Sequence, residues 1–120
     1  MFRNNKFYCR AFQFCLRIGS LFLDWSQPEM ITGEDSVLKI SDILKSKNMK
    51  KVLLITDNGL KSLGLIDGLV QKLEEDGIAV SIFSDVQPNP TIENVENAKD
   101  CYIKNGCEAI IAFGGGSPMD

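Results

Sequence analysis

A glycine-rich segment near residue 120 has the composition of an anion-binding loop. Gly114, Gly115 and Gly116 precede Ser117, and all four follow the apolar run Ala109–Phe113. Because glycine lacks a Cβ atom, a ligand can approach these backbone N–H groups closely. With the Ser117 hydroxyl and the positive end of a helix expected next, they could hold a phosphate or a pyrophosphate. The alternative is a tight turn that binds nothing.

Three further polar residues are candidates for the same site. Asp57 follows the apolar run Val52–Thr56, and its carboxylate could accept hydrogen bonds from a ribose diol and repel a 2′-phosphate. The alternative is that Asp57 begins an Asx turn at the tripeptide Asp-Asn-Gly. Asn89 could touch a nucleotide or only precede Pro90 in a turn, and Asp120 could cap a following helix or face a ligand.

The chain does not contain a complete catalytic or structural-metal constellation. It has no histidine, its acidic residues fall mostly on helix faces predicted to be solvated, and neither common nucleotide-binding glycine motif occurs. The 4 cysteines, at positions 9, 15, 101 and 107, form no Cys-x-x-Cys pair. A structural zinc site is therefore not expected. We expect all four cysteines to be free thiols in the reducing cytoplasm.

Composition indicates one soluble globular domain without affinity for nucleic acid. The 120 residues are 44% hydrophobic and 24% charged, with a net charge of −3. The charge is uneven, because residues 1–23 carry +4 without any acidic residue, whereas the remainder has 9 basic and 16 acidic residues. The chain thus has a basic, apolar head and an acidic body.

Residues 1–28 are predicted to be a basic amphipathic extension. Phe7, Ala11, Phe14 and Ile18 recur at helical spacing, while Arg10 and other polar residues interrupt the stretch too often for stable insertion into a membrane. We favour a helix docked on the rest of the protein. Peripheral contact with a membrane and a cleaved signal peptide are the alternatives.

Residues 29–120 alternate between strand and helix patterns. The predicted strands are Met30–Glu34, Val52–Thr56, Ala79–Val86 and Ala109–Phe113. The predicted helices are Ser36–Asn48 with Asp35 or Ser36 as N-cap, a segment around Leu65–Asp76 closed by Gly77, and one capped by Thr91 and closed by Gly106.

This alternation predicts an α/β protein with a Rossmann-like parallel sheet, flanking helices and the last strand at its centre. Ligands of such sheets bind beyond the carboxyl ends of the strands. Three loops are expected to meet there: Asp57–Gly59, Gln87–Pro90 and Gly114–Asp120.

Taken together, residues 30–120 resemble the amino-terminal, cofactor-binding domain of the iron-containing, metal-dependent alcohol dehydrogenases. The resemblance rests on Thr56-Asp57, Gly64-Leu65, Pro88-Asn89-Pro90-Thr91 and Gly114-Gly115-Gly116-Ser117-Pro118 followed by Asp120. Ser117-Pro118 points to the alcohol dehydrogenase branch rather than to the related glycerol dehydrogenases.

The resemblance implies a binding role for each candidate residue. Asp57 would bind the adenosine ribose and favour NAD, with NADP still possible. Asn89 would lie near the adenosine end, and Asp120 near the nicotinamide. The residues that would hold the cofactor pyrophosphate are Gly115, Gly116 and Ser117.

It also implies an enzyme larger than this chain. The family's Fe²⁺ or Zn²⁺ is held by ligands of a second, helical domain, so the 120 residues look like a truncated fragment that is inactive alone. The full-length protein would be a cytoplasmic homo-oligomer that transfers a hydride between NAD(P) and a small alcohol or aldehyde. A nonenzymatic nucleotide-binding or interaction module, and a glycerol dehydrogenase-like relative, are the alternatives.

Overall fold

The computed structural model describes residues 6–20 and 28–120, and the chain divides into two units between Ile31 and Thr32. In the first unit, helix α1 (Lys6–Ser20) confirms the helix indicated by the spacing of apolar residues. The docking of this helix stays a prediction. Neither α1 nor any other helix of the described residues combines the length and apolar character that a bilayer crossing requires.

The second unit contains a parallel sheet of three strands, β1 (Lys51–Ile55), β2 (Ala79–Phe83) and β3 (Ala109–Ala112), in the order β2-β1-β3. This confirms the predicted α/β, Rossmann-like fold. The expectation that the last strand is central is wrong for the described sheet. β2 pairs with one edge of β1 and β3 pairs with the other edge. β1 therefore occupies the centre of the sheet and has the most deeply buried residues.

Five helices belong to the second unit: α2 (Lys39–Ser46), α3 (Asn58–Ser62), α4 (Asp67–Glu75), α5 (Ile92–Lys104) and α6 (Gly116–Met119). A 3₁₀ turn, Ser36–Leu38, leads into α2. The predicted caps of α4 and α5 are confirmed. Thr91 Oγ1 accepts a hydrogen bond from the Asn94 N–H at 3.2 Å, and Gly77 and Gly106 follow the helices with positive φ angles of 79° and 62°.

Three local predictions are wrong. The segment Met30–Glu34 is not a strand, because its apolar side chains are exposed and Gly33 turns the backbone with φ 122°. Asp35 adopts a left-handed conformation, and neither its side chain nor that of Ser36 caps the helix. The stretch predicted as a turn after β1 instead begins α3, with Asp57 as its N-cap.

The two faces of the sheet are covered unequally. On one face Val52, Leu54 and Ile111 pack with Leu44 of α2 and with a group from α4 and its flanks, namely Ile66, Leu69, Leu73 and Ile78. On the other face α5 packs against β1 and β2 but has no buried residue of its own. The α5 side therefore retains open space next to the carboxyl ends of the strands.

Asp76, at the end of α4, joins this helix to α2. Its carboxylate accepts hydrogen bonds from Lys72 Nζ at 2.8 Å, from the buried Ser41 Oγ at 2.5 Å and from Lys45 Nζ at 3.1 Å. The hydrogen bond from Lys72, followed by those from Ser41 and Lys45, holds the pKa of Asp76 well below its usual range. The charged form of Asp76 is therefore favoured in the folded state.

We expect Asp76→Asn to lower the thermal stability at neutral pH, because it weakens both ion pairs. A lowered pKa in the folded state stabilises the protein above the ordinary carboxyl pKa, about 3.9, and this contribution is lost as the pH falls toward the lowered value. The stability difference between wild type and variant should therefore shrink below about pH 4. Melting temperatures across this range test the prediction, with Glu96→Gln on α5 as a matched control. A difference that is independent of pH would contradict it.

Candidate functional site

The connections that follow the three strands line one cavity. Its volume is about 320 Å³, and its lining residues are Asp57, Asn58, Gly59, Val86, Pro88 and Ser117. Asp57 comes from the connection after β1, Val86 and Pro88 from the loop after β2, and Ser117 from α6, which follows the loop after β3. The structure thus brings two predicted site residues, Asp57 and Ser117, to the same space.

The two carboxylate oxygens of Asp57 have different surroundings. Oδ1 accepts a hydrogen bond from the Leu60 N–H at 2.9 Å, which caps α3. Oδ2 lies on the side of the glycine loop, 3.7 Å from the position that a Cβ atom of Gly114 would occupy. One carboxylate oxygen of Asp57 therefore caps α3, and the other lies toward the loop after β3.

The three glycines of this loop have different surroundings. Gly114 has a φ of 142°, and a Cβ atom there would lie 2.9 Å from Leu60 Cδ1 and 3.0 Å from Pro118 Cγ. Close packing and the backbone conformation therefore both require a glycine at position 114. At Gly115 and Gly116, in contrast, a Cβ atom would meet nothing within 4 Å. The loop is anchored at its first glycine and open at the next two.

The open part of the loop presents hydrogen-bond donors. Within the described residues, the backbone N–H groups of Gly114, Gly115, Gly116 and Ser117 donate to no protein acceptor. Asp120 N–H donates to the Gly116 carbonyl at 2.9 Å and closes the single turn of α6. Successive unpaired N–H groups around an open space suit an anion such as a phosphate.

The other four predicted site residues, Gly115, Gly116, Asn89 and Asp120, are not among the residues that line this cavity. Asn89 is exposed, has a φ of 58°, as asparagine often has in turns, and lines none of the described cavities, so its contact with a nucleotide stays a prediction. Asp120 lines a second, mainly apolar cavity of about 240 Å³ between the sheet and α5, which Ser117 also borders. Ser117 is the link between the two spaces.

Sequence reasoning did not single out Val86, Pro88 or Asn94 as individual site residues. Val86 and Pro88 form the wall contributed by the β2 connection, and Asn94 borders both the apolar cavity and a polar one of about 540 Å³. The prolines marked the end of the strand, but only the path of the loop shows which of its side chains face the cavity. The one feature of the sequence that could have drawn attention to Asn94 is its position three residues after the N-cap Thr91, in the first turn of α5.

Thr56, the residue before Asp57, carries a buried polar atom. It is fully buried, its N–H donates to the Phe83 carbonyl at 3.0 Å, and its Oγ1 has no partner among the described residues. A buried hydroxyl that makes no hydrogen bond destabilises the folded state by roughly 1–3 kcal/mol.

We therefore expect Thr56→Val, which replaces the hydroxyl by a methyl group, to raise the free energy of unfolding by about 1 kcal/mol. Thr56→Ser is the matched variant, because it keeps the hydroxyl and removes the methyl group, and it should lower the free energy of unfolding by about 1 kcal/mol. Urea denaturation of the three proteins tests this. A destabilised valine variant would show that the hydroxyl has a favourable partner.

The described residues do not supply a metal centre. Across residues 6–20 and 28–120, no three side chains of His, Cys, Asp or Glu are grouped closely enough to hold a metal ion. Cys15, Cys101 and Cys107 are free thiols, as expected from their spacing. The groups that the region around Asp57 and Ser117 could offer to a ligand are backbone N–H groups, one carboxylate and one hydroxyl.

Known proteins are similar to this chain in sequence and in fold. The family described as "Iron-containing alcohol dehydrogenase" matches residues 27–120. Alcohol dehydrogenase 4 of Saccharomyces cerevisiae (strain YJM789) is 39% identical over 94 residues, which are 78% of this chain and 24% of that protein. Choline dehydrogenase of Bacillus subtilis (strain 168) is 40% identical over 88 residues, 73% of this chain and 22% of the relative.

Solved structures agree with the sequence relatives. A 1,3-propanediol oxidoreductase superimposes with a TM-score of 0.74 at 34% identity over 81% of this chain and 26% of that one. Sulfoacetaldehyde reductase from Bifidobacterium kashiwanohense, solved in complex with NAD⁺, gives a TM-score of 0.70 at 32% identity, covering 82% and 26% of the two chains. The chain spans about a quarter of the length of these relatives, from 22% to 26%.

Proposed function

Since this chain belongs to the family of iron-containing alcohol dehydrogenases, we propose that it is the cofactor-binding part of an NAD-dependent, metal-dependent enzyme. The enzyme interconverts an alcohol and its aldehyde or ketone, and residues 29–120 form its cofactor-binding domain. The observation that supports this proposal best is the cavity lined by Asp57 and Ser117, next to the glycine loop after β3 whose N–H groups donate to no protein acceptor among the described residues.

The residues of the cavity and of the adjoining glycine loop fit the parts of a dinucleotide. A pyrophosphate needs several N–H donors and room next to the backbone, and Gly115, Gly116 and Ser117 offer both. A ribose diol needs an acceptor, and Asp57 Oδ2 is the carboxylate oxygen not used to cap α3. A 2′-phosphate near this charge would be repelled, which favours NAD over NADP.

The part of the mechanism assigned to this chain is to bind and orient the cofactor. The bound nicotinamide would accept a hydride from the alcohol or return one to the aldehyde. The donors after β3 would hold the pyrophosphate, and Asp57 would hold the ribose, so that the two contacts set the direction in which the dinucleotide extends. Asp120, on the far side of Ser117, is our candidate for the nicotinamide end.

The metal belongs to the proposal but not to the described residues. Fe²⁺ or Zn²⁺ would polarise the alcohol oxygen. The side chains of the described residues do not form a ligand group for such an ion. We propose that its ligands lie outside residues 1–120, and that the whole enzyme is a cytoplasmic homo-oligomer.

Calorimetric titration with NAD⁺, NADP⁺ and ADP-ribose tests the cofactor assignment. We expect saturable binding of NAD⁺ and ADP-ribose with one molecule per chain, and binding of NADP⁺ that is at least about tenfold weaker, a difference of about 1.4 kcal/mol. Formation of NADH from NAD⁺ and small alcohols by the longer natural protein tests the reaction. Failure of both NAD⁺ and ADP-ribose to bind would overturn the proposal.

A further inference from the structure

The side chain of Asn94 holds the loop that connects β2 to α5. Its Nδ2 donates to the Asp85 carbonyl at 2.8 Å, and its Oδ1 accepts from the Gln87 N–H at 3.3 Å. Its own backbone N–H donates to the N-cap Thr91. The amide of Asn94 thus spans two residues of the loop from a fixed position in the first turn of α5.

The loop has few other hydrogen bonds that could fix its shape. It runs from Ser84 to Thr91, and within the described residues its backbone is otherwise tied only by the bridge between Asp85 and Asp57 and by the start of α5. Because an exposed loop of this length has many conformations, two hydrogen bonds to one anchored side chain remove much of this freedom.

The shape of this loop determines one wall of the cavity. Val86 lies between Asp85 and Gln87, the two residues that Asn94 holds, and Pro88 follows directly. Val86 and Pro88 line the cavity together with Asp57 and Ser117, whereas Asn94 borders the neighbouring apolar cavity and not this one. A change at Asn94 would therefore reach the cavity of Asp57 only through the loop.

We propose that Asn94 is a positioning residue of the dinucleotide site, one that sets the distance between the β2 loop and the carboxylate of Asp57. This inference rests on the proposed function. The role requires an amide in particular, because the side chain donates to one loop residue and accepts from the other. An aspartate of the same shape would place an oxygen against the Asp85 carbonyl, where both groups are acceptors.

Two substitutions at Asn94 and two controls separate positioning from general stability. Asn94→Asp and Asn94→Ala remove the donor or the whole amide. Thr91→Ala removes the N-cap of the same helix but leaves the Asn94 side chain in place, and Asn97→Ala removes an amide one turn further along. Calorimetry with NAD⁺, at a temperature at which all variants are folded, gives the affinities. The rate of hydrogen exchange at the Gln87 amide reports how freely the loop moves.

We expect both Asn94 variants to raise the Kd for NAD⁺ by about tenfold and to speed exchange at Gln87, because the lost hydrogen bonds free the loop. Thr91→Ala should lower the melting temperature but change the Kd for NAD⁺ by less than about twofold. Asn97→Ala should likewise change the Kd by less than about twofold. The inference is overturned if Asn94→Asp binds NAD⁺ like the wild type, or if Thr91→Ala weakens binding equally. If the unaltered protein does not bind NAD⁺, the proposed function itself fails. If it binds NAD⁺ and Asn94→Asp binds equally well, only the inference about Asn94 fails.

Discussion

Gly116→Val is expected to abolish cofactor binding while leaving the fold intact. A Cβ atom at Gly116 meets nothing within 4 Å, and the backbone there is not left-handed, so valine fits the protein itself. Its methyl groups would occupy the space proposed for the pyrophosphate and separate it from the N–H donors. The Kd for NAD⁺ should rise at least about a hundredfold, or about 2.7 kcal/mol, with a stability change within about 0.5 kcal/mol.

Gly114→Ala is the matched variant for this prediction. Here the added Cβ atom would lie 2.9 Å from Leu60 Cδ1, and the φ of 142° is one that alanine rarely adopts. We expect the free energy of unfolding to fall by about 1–3 kcal/mol, and binding to weaken because the loop moves. Thermal unfolding and calorimetry of both variants distinguish a blocked site from a distorted one. Normal NAD⁺ affinity in Gly116→Val would place the dinucleotide elsewhere.

Asp57→Ser is expected to change the choice of cofactor without a loss of stability. Serine can still cap α3 through the Leu60 N–H, so the stability should change by less than about 0.5 kcal/mol. The variant loses the carboxylate that is proposed to bind the ribose diol and to repel a 2′-phosphate. We expect NAD⁺ to bind about tenfold more weakly, and the ratio of the two Kd values to shift by at least about tenfold toward NADP⁺.

Asp57→Ala provides the comparison for this second prediction. It removes both the cap and the carboxylate, so it should lower the free energy of unfolding by about 1 kcal/mol in addition to changing the cofactor preference. Calorimetry with NAD⁺ and NADP⁺, together with urea denaturation, measures both effects. An unchanged preference in Asp57→Ser would restrict Asp57 to its structural contact.

The elements that were predictable from sequence are those whose signal is local. The apolar runs of β1 and β3 indicate buried strands, and Thr91 and Gly77 mark helix ends because their capping contacts are made within a few residues, although the same signal at Asp35 and Ser36 gave no cap. The order of the strands was not predictable in this way. It depends on which edge of β1 each later strand reaches, and no short segment encodes this.

The candidate site was partly predictable for the same reason. The position of Asp57 and of the glycines at strand ends follows from the alternation of elements. The division of the Asp57 carboxylate between a cap and the cavity, and the different surroundings of Gly114 and Gly116, depend on contacts with α3 and Pro118. Asn94 was missed because its partners, Asp85 and Gln87, are brought to it by the path of the loop.

The position of β3 has a practical consequence for handling this polypeptide. In the described sheet, its second edge leaves a row of amide and carbonyl groups without a neighbouring strand, and Ile110 beside it is 58% exposed. Ala109–Ala112 includes neither a charged residue nor a proline, the features that usually prevent two such edges from pairing. Preparations of these 120 residues should therefore be prone to intermolecular β-pairing and precipitation as their concentration increases.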